Sequence, residues 1–250
     1  MDMLSSKLLV FAMVLTRVSA FFLVTPVFSW TSIPVRIKVA MTVVLSFFFA
    51  MVLPHRVVIR SVDPLSVVVL LSYESVYGLG LGLITVLVFT AVRFFGQIVE
   101  QQMGLTMSEV LDPLMGEGAQ ALGLMIEMVF IMLFLAANGH HLFLLVVSRS
   151  YEAFPAGSVP TVGVLLEGII AGGSVLLTAG LRLAAPILTA FMVLMVTLAV
   201  LARIAPEMNI LFISMPMRIG LGLLMVGAFI PFVEGYVGEF AEWMGKLLPL

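Results

Sequence analysis

Residues 162–232 read VGVLLEGIIAGGSVLLTAGLRLAAPILTAFMVLMVTLAVLA, then RIAPEMN, then ILFISMPMRIGLGLLMVGAFIPF. Two long apolar runs, Val162–Ala202 and Ile210–Phe232, flank a short polar break. A helix needs about 20 apolar residues to cross a bilayer, and both runs reach that length. The first is long enough to kink or to project beyond the lipid. Between them Ala205-Pro206-Glu207-Met208-Asn209 forms a tight turn, with Pro206 and Asn209 as its turn residues. The pattern predicts two helices joined as a hairpin.

Working outward toward the N-terminus, four further apolar stretches appear: Leu8–Phe28, Val39–Leu53, Leu65–Val92 and Ala119–Val147. Their borders carry turn chemistry. Trp30-Thr31-Ser32-Ile33-Pro34 closes the first, and Pro54-His55-Arg56 the second. Asp63-Pro64 opens the third, with Asp63 as a cap and Pro64 at the first helical position, where a missing N–H costs nothing. Phe154-Pro155-Ala156-Gly157-Ser158-Val159-Pro160 is the clearest linker. The expected fold is an all-α membrane protein of about six apolar helical segments arranged as hairpins. Arg17 interrupts the first apolar run and no small-residue cleavage pattern follows, so this run is read as a retained helix rather than a signal peptide.

Composition agrees. Of 250 residues 62% are apolar and 10% charged, where a soluble domain carries about 25% charged residues. Mean hydropathy is +1.23. So few charges cannot cover the outside of a soluble fold of this size, and the apolar surplus must face lipid or other subunits. A net charge of -2 offers no basic surface for nucleic acid. With no cysteine, disulfides, thiolate metal sites and cysteine nucleophiles are excluded. Length is compatible with one or two domains.

Charges also fall inside the apolar stretches: Arg17, Glu74, Glu127, Glu167, Arg182 and Arg218. Each is expensive in lipid, by roughly 2.5–3.5 kcal/mol for an arginine or aspartate at a helix centre. Lysines and arginines between the stretches are nearly even on the two sides (Lys7, Arg56, Arg60, Arg149 and Lys246 against Arg36, Lys38, Arg93 and Arg203), so they set no orientation. Helices facing other subunits, or a wet interior, fit this pattern better than six simple spans. The internal glutamates are read as interhelical partners of Arg17, Arg182 or Arg218, and the whole set as charges for packing, ahead of a proton relay. Gly78–Gly82 and Gly168–Gly172 hold small-xxx-small pairs that permit close helix approach.

Other constellations carry no chemistry. His140 and His141 point about 100° apart on a helix, which suits polar residues at the end of the fourth helix better than a shared metal. Met125, Met128 and Met132 share one face and read as adaptable packing. No G-x-S-x-G, Walker A, HExxH or dinucleotide signature occurs, so no enzyme and no cofactor is expected.

The segment Phe95–Gly118 is predicted as a loop of about 25 residues, long for a connection within a helical bundle. Leu105, Met107, Val110, Leu111, Leu114 and Met115 give it burying capacity, while Gly104, Gly116 and Gly118 supply bends. A movable seal and an interfacial loop packed on a neighbour both satisfy this composition.

An ordered set of segments resembles the FliR family. It begins with Arg17-Val18-Ser19-Ala20-Phe21, Thr25-Pro26-Val27-Phe28 and Ile33-Pro34-Val35-Arg36. Glu74-Ser75-Val76-Tyr77-Gly78-Leu79-Gly80-Leu81-Gly82 comes next, then Gly96-Gln97, Gln102-Met103-Gly104 and Asp112-Pro113. Later come Asn138-Gly139-His140-His141, Ser148-Arg149-Ser150, Phe154-Pro155-Ala156-Gly157 and Ala184-Ala185-Pro186. Arg203 to Asn209 and Met215-Pro216-Met217-Arg218-Ile219-Gly220 complete it.

The resemblance implies a subunit of the bacterial flagellar type III protein-export gate. FliR-like proteins form that gate with FliP and FliQ subunits, with FlhB and FlhA as further partners and secreted, unfolded flagellar proteins as substrates. It implies placement at the inner membrane in the flagellar basal body, with helices stacked as a right-handed spiral raised toward the periplasm. It further implies a FliP-like portion, residues 1–154, and a FliQ-like helical hairpin, residues 161–250. The family's plug maps to Gly104, Leu105, Thr106, Met107, Ser108, Glu109, Val110, Leu111, Asp112, Pro113, Leu114, Met115, Gly116 and Gly118. The alternatives are a small-molecule or proton-coupled transporter, and the virulence-secretion counterpart of the same family.

Overall fold

The computed structural model describes residues 2–29, 33–52, 63–105, 121–158 and 162–247. These form eight helices and, among the described residues, no strand: α1 (Asp2–Val24), α2 (Pro26–Ser29), α3 (Val35–Val52), α4 (Pro64–Met103), α5 (Ala121–Ala136), α6 (His140–Ala153), α7 (Val162–Ile204) and α8 (Ile210–Leu247). The fold is all-α. Five helices are long and apolar enough to cross a membrane, and the interrupted pair α5 and α6 makes a sixth candidate.

Local chemistry sets the boundaries. Pro26 excludes a continued α1, and Thr25 answers the Phe21 carbonyl with both its N–H (3.1 Å) and its hydroxyl (2.8 Å). Pro64 occupies the first position of α4 as expected, and the Asp63 carbonyl accepts the Val67 N–H at 3.1 Å. The turn at Pro206 and Asn209 joins α7 to α8, with Asn209 presenting its carbonyl to the Phe212 N–H at 3.1 Å. Pro186 lies inside α7 without ending it.

Two compact units are built from interleaved segments. One comprises residues 1–88, 138–174 and 240–250, the other residues 89–137 and 175–239. In the first unit α1 packs along α3. Its core gathers Met13, Val18 and Phe21 of α1, Tyr77, Leu81 and Ile84 of α4, and Phe143 and Tyr151 of α6. In the second, Phe89 meets Phe130 (5.6 Å between centroids) and Phe134 (5.2 Å) edge-on, and Phe130 in turn meets Tyr236.

Burial is uneven along the helices. About three-fifths of α4 is buried (61%), against 11% of the apolar segments of α3 and α8. Phe47, Met51, Phe212 and Leu224 stand exposed on those two helices. In water such faces would aggregate; they require lipid or a neighbouring chain.

Two expectations are corrected. Residues 95–103, predicted as loop, continue α4. Phe95, Val99 and Met103 repeat every four residues and are all buried, so the helical stripe persists through the polar residues between them. The fourth apolar stretch is two helices rather than one, broken at Ala137–Gly139, where Asn138 takes a positive φ of 61°. Asparagine tolerates this left-handed backbone, which stops α5. His140 and His141 therefore start α6 instead of ending the preceding helix.

Candidate functional site

Three residues four apart on α4, Glu74, Gly78 and Gly82, share one helical face in the first unit. The two glycines receive α1. A Cβ on Gly78 would overlap the Arg17 carbonyl oxygen and lie 2.9 Å from the Ala20 Cβ; one on Gly82 would lie 3.0 Å from the Phe21 carbonyl oxygen. Close approach at this face brings Arg17 over Glu74.

Arg17 is 1% exposed, and its guanidinium is met through Nε and Nη1, while Nη2 has no hydrogen-bond partner among the described residues. Its Nε donates to Glu74 Oε2 at 2.6 Å. Its Nη1 donates to the Phe154 carbonyl at 2.9 Å and to the Ser150 carbonyl at 3.2 Å, with Ser150 Oγ at 3.4 Å. Those carbonyls belong to the C-terminal end of α6, where the negative end of the helix favours a cation, and the Ser150 carbonyl also accepts the Phe154 N–H at 3.0 Å. The guanidinium also lies over the rings of Tyr151 (4.1 Å) and Tyr77 (4.7 Å). Glu74 uses its other oxygen, Oε1, to accept the Gly157 N–H at 2.8 Å, with Gly157 at φ 85°. One ion pair thus fastens α1, α4, the end of α6 and the linker after it.

The second unit holds a smaller polar site where α4 ends and α5 begins. Glu100 is 2% exposed, and its Oε1 accepts the N–H groups of Leu122 and Gly123, the latter at 3.2 Å. One turn earlier, a Cβ on Gly96 would lie 2.5 Å from the Gly123 Cα, so the two helices touch backbone to backbone. Glu100 was not singled out by sequence. Its signal was the absence of a capping side chain in Ala119-Gln120 before α5.

The remaining internal charges are more open. Glu127 faces Arg93 at 3.9 Å rather than any of the arginines considered from sequence. Arg182 meets Glu239 at 3.5 Å on the surface, its side chain 74% exposed. Glu167 is exposed on α7, and Arg218 is half-buried on α8 with an Nε that has no hydrogen-bond partner among the described residues. Of the loop residues, Gly104 ends α4 at φ 79° and Leu105 succeeds it. Thr106, Met107, Ser108, Glu109, Val110, Leu111, Asp112, Pro113, Leu114, Met115, Gly116 and Gly118 lie outside the described residues. No group of three or more potential metal ligands occurs among the described residues.

Residues 8–243 match the family described as bacterial export proteins, family 1. The chain belongs to that family. Its relatives include the flagellar biosynthetic protein FliR of Escherichia coli strain K12, 28% identical over 94% of this chain and 89% of the relative. The FliR of Bacillus subtilis strain 168 is 25% identical over 86% of this chain and 84% of its own length. The Yop proteins translocation protein T of Yersinia pestis is 26% identical over 90% of this chain and 87% of its own length. The family resemblance drawn from the ordered motifs agrees with these matches.

Proposed function

We propose that this chain is a structural and gating subunit of a bacterial flagellar type III protein-export gate. With FliP-like and FliQ-like subunits it forms a channel for unfolded flagellar proteins, with FlhB and FlhA as further partners. Its place is the inner membrane at the flagellar basal body, the assembled core projecting toward the periplasm. Residues 1–154 supply a FliP-like portion and residues 161–250 a FliQ-like hairpin, joined at Phe154–Pro160. Glu127, Glu167, Arg182 and Arg218 serve packing between subunits, and Arg17 with Glu74 packing within this one. The connection Gly104–Gly118 seals the channel at rest.

The observation that carries this proposal is the contrast between a well-buried α4 and the barely covered α3 and α8, in a chain of an export family. Helices so exposed, together with a charge such as Glu167 on the surface of α7, suit a subunit better than a solitary transporter. Deleting Thr106–Leu114 should raise the resting ion conductance of the assembled complex while leaving assembly intact. Unchanged conductance would remove the sealing role. The likeness to a Yop translocation protein favours a second reading, the virulence-type gate. Restoration of swimming in a strain lacking FliR decides between the two.

A further inference from the structure

A groove of about 540 Å³ runs between α1 and α3 in the first unit. That volume falls in the usual range of about 300–1,000 Å³ for a small-molecule site. Its walls come from one face of each helix. Leu15, Phe22 and Leu23 line it from α1, and Val35, Val39 and Val43 from α3. Leu23, Val35 and Val39 stand exposed along it. Two hydroxyls also reach the lining, but both are turned onto their own helices. Ser19 donates to the Thr16 carbonyl at 3.0 Å, and Thr42 to the Lys38 carbonyl at 2.8 Å. The lining therefore presents hydrocarbon almost throughout, and Lys38 is its single charged residue among the described residues.

The position of that charge gives the groove a direction. Lys38 stands in the first turn of α3, and Val35–Val52 is one of the helices long and apolar enough to cross a bilayer. A cation at the end of a span meets the headgroup level, while Val39 and Val43 carry the apolar wall inward. From Val35 to Val43 the wall is about 12 Å long, close to one leaflet of a hydrocarbon core about 30 Å thick. Arg36 is exposed in the same turn, and no acidic residue shares it. An apolar slot of this depth with positive charge at its outer end matches a hydrocarbon tail with an anionic head. A helix of another subunit would cover the same walls only by bringing a carboxylate of its own to the level of Lys38. We propose that this groove is a binding site for an anionic phospholipid, one acyl chain lying between α1 and α3 and the phosphate against Lys38.

The test uses the full chain in its purified export complex, reconstituted in phosphatidylcholine vesicles that carry a small fraction of a phospholipid with a photoreactive acyl chain. The probe is phosphatidylglycerol in one arm and phosphatidylcholine in the other, and labelled residues are mapped by mass spectrometry. In the wild type, phosphatidylglycerol should label residues 15–23 and 35–43 about fivefold more than phosphatidylcholine, the preference that one basic residue near an anionic headgroup supplies. Lys38→Ala should remove that preference, and Lys38→Arg should keep it. Val39→Trp fills the slot but leaves the charge, and should lose labelling by both probes. Lys7→Ala takes away an exposed positive charge outside the groove and should leave the preference intact. Equal labelling by the two probes in the wild type overturns the proposal. So does an undiminished preference in Lys38→Ala, or an equal loss in Lys7→Ala. Absence of labelling by either probe overturns it as well and leaves the groove to a neighbouring subunit. The wild-type comparison decides even where a variant does not assemble.

Discussion

Removing Glu74 would leave Arg17 with a full charge, a nearly inaccessible side chain and only neutral partners, the carbonyls of Ser150 and Phe154, the Ser150 hydroxyl and the rings of Tyr77 and Tyr151. Breaking one partner out of a buried pair costs about 3–5 kcal/mol, because the other charge stays behind. Glu74→Ala should therefore lower the unfolding midpoint of the purified complex and its yield, and secretion should fall in step with yield. A glutamate serving as a proton relay would behave differently: Glu74→Gln would abolish secretion from a complex of normal stability. Arg17→Lys should also be costly, by about 2 kcal/mol or more, since one ammonium cannot reproduce a planar fork that meets Glu74, two carbonyls and two aromatic faces. Thermal unfolding of that variant in detergent measures the loss. Sequence placed Arg17 and Glu74 in the interior of apolar helices and read the internal glutamates as partners of Arg17, Arg182 or Arg218, without fixing which pairs with which. It had no means of naming Ser150, Phe154 or Gly157, whose contribution is made by backbone atoms that every residue carries.

Among the helices, α4 owes its close packing on α1 to small residues four apart on the face that meets it. Gly78→Ala should separate α1 from α4, since the added methyl overlaps a backbone carbonyl that cannot rotate away. The expected cost is about 1–3 kcal/mol. Gly173→Ala, in α7 where a Cβ would meet nothing within 4 Å, is the matched control. It should stabilise by up to about 1 kcal/mol through helix propensity. Equal effects of the two substitutions on the unfolding midpoint would contradict a tight crossing at Gly78. The small-xxx-small pattern made this contact legible in advance. The extension of α4 through Met103 was not, because Arg93, Gln97 and Glu100 looked like the polar start of a loop. The buried stripe Phe95, Val99 and Met103 runs beneath them, and only tertiary partners such as Gly123 show that those polar residues belong in a helix. The break at Asn138 was equally hidden, since an Asn-Gly pair inside an apolar run ends one helix only when the next segment turns away.

For the whole molecule, exposed apolar area separates what the chain does alone from what it does in company. Phe212 is 79% exposed, so Phe212→Glu removes little internal packing and the variant should fold in detergent like the wild type. If α8 is a contact for other subunits, the same variant should lose co-purifying FliP-like and FliQ-like partners by tenfold or more, since a carboxylate in an apolar interface must shed its water without repayment. Quantifying partners in the purified complex checks this, and full retention would place α8 away from the interface. Composition made the membrane character legible, and the lengths of the apolar runs the all-α class. Which helix faces would be covered by the chain itself was not, because α3, α4, α7 and α8 are apolar to similar degrees and differ in burial for reasons of tertiary arrangement.

The hydroxyls along α7 have a consequence for how such a subunit is put together. Thr189 and Thr197 each donate to the carbonyl four residues back, at 2.8 Å, from exposed positions. Their protons are already engaged, so the flank shows its surroundings methyl groups and saturated carbonyls. At Thr189 and Thr197 such a flank can trade hydrocarbon tails for another polypeptide, or the reverse, without either hydroxyl bond having to be remade at the moment of transfer.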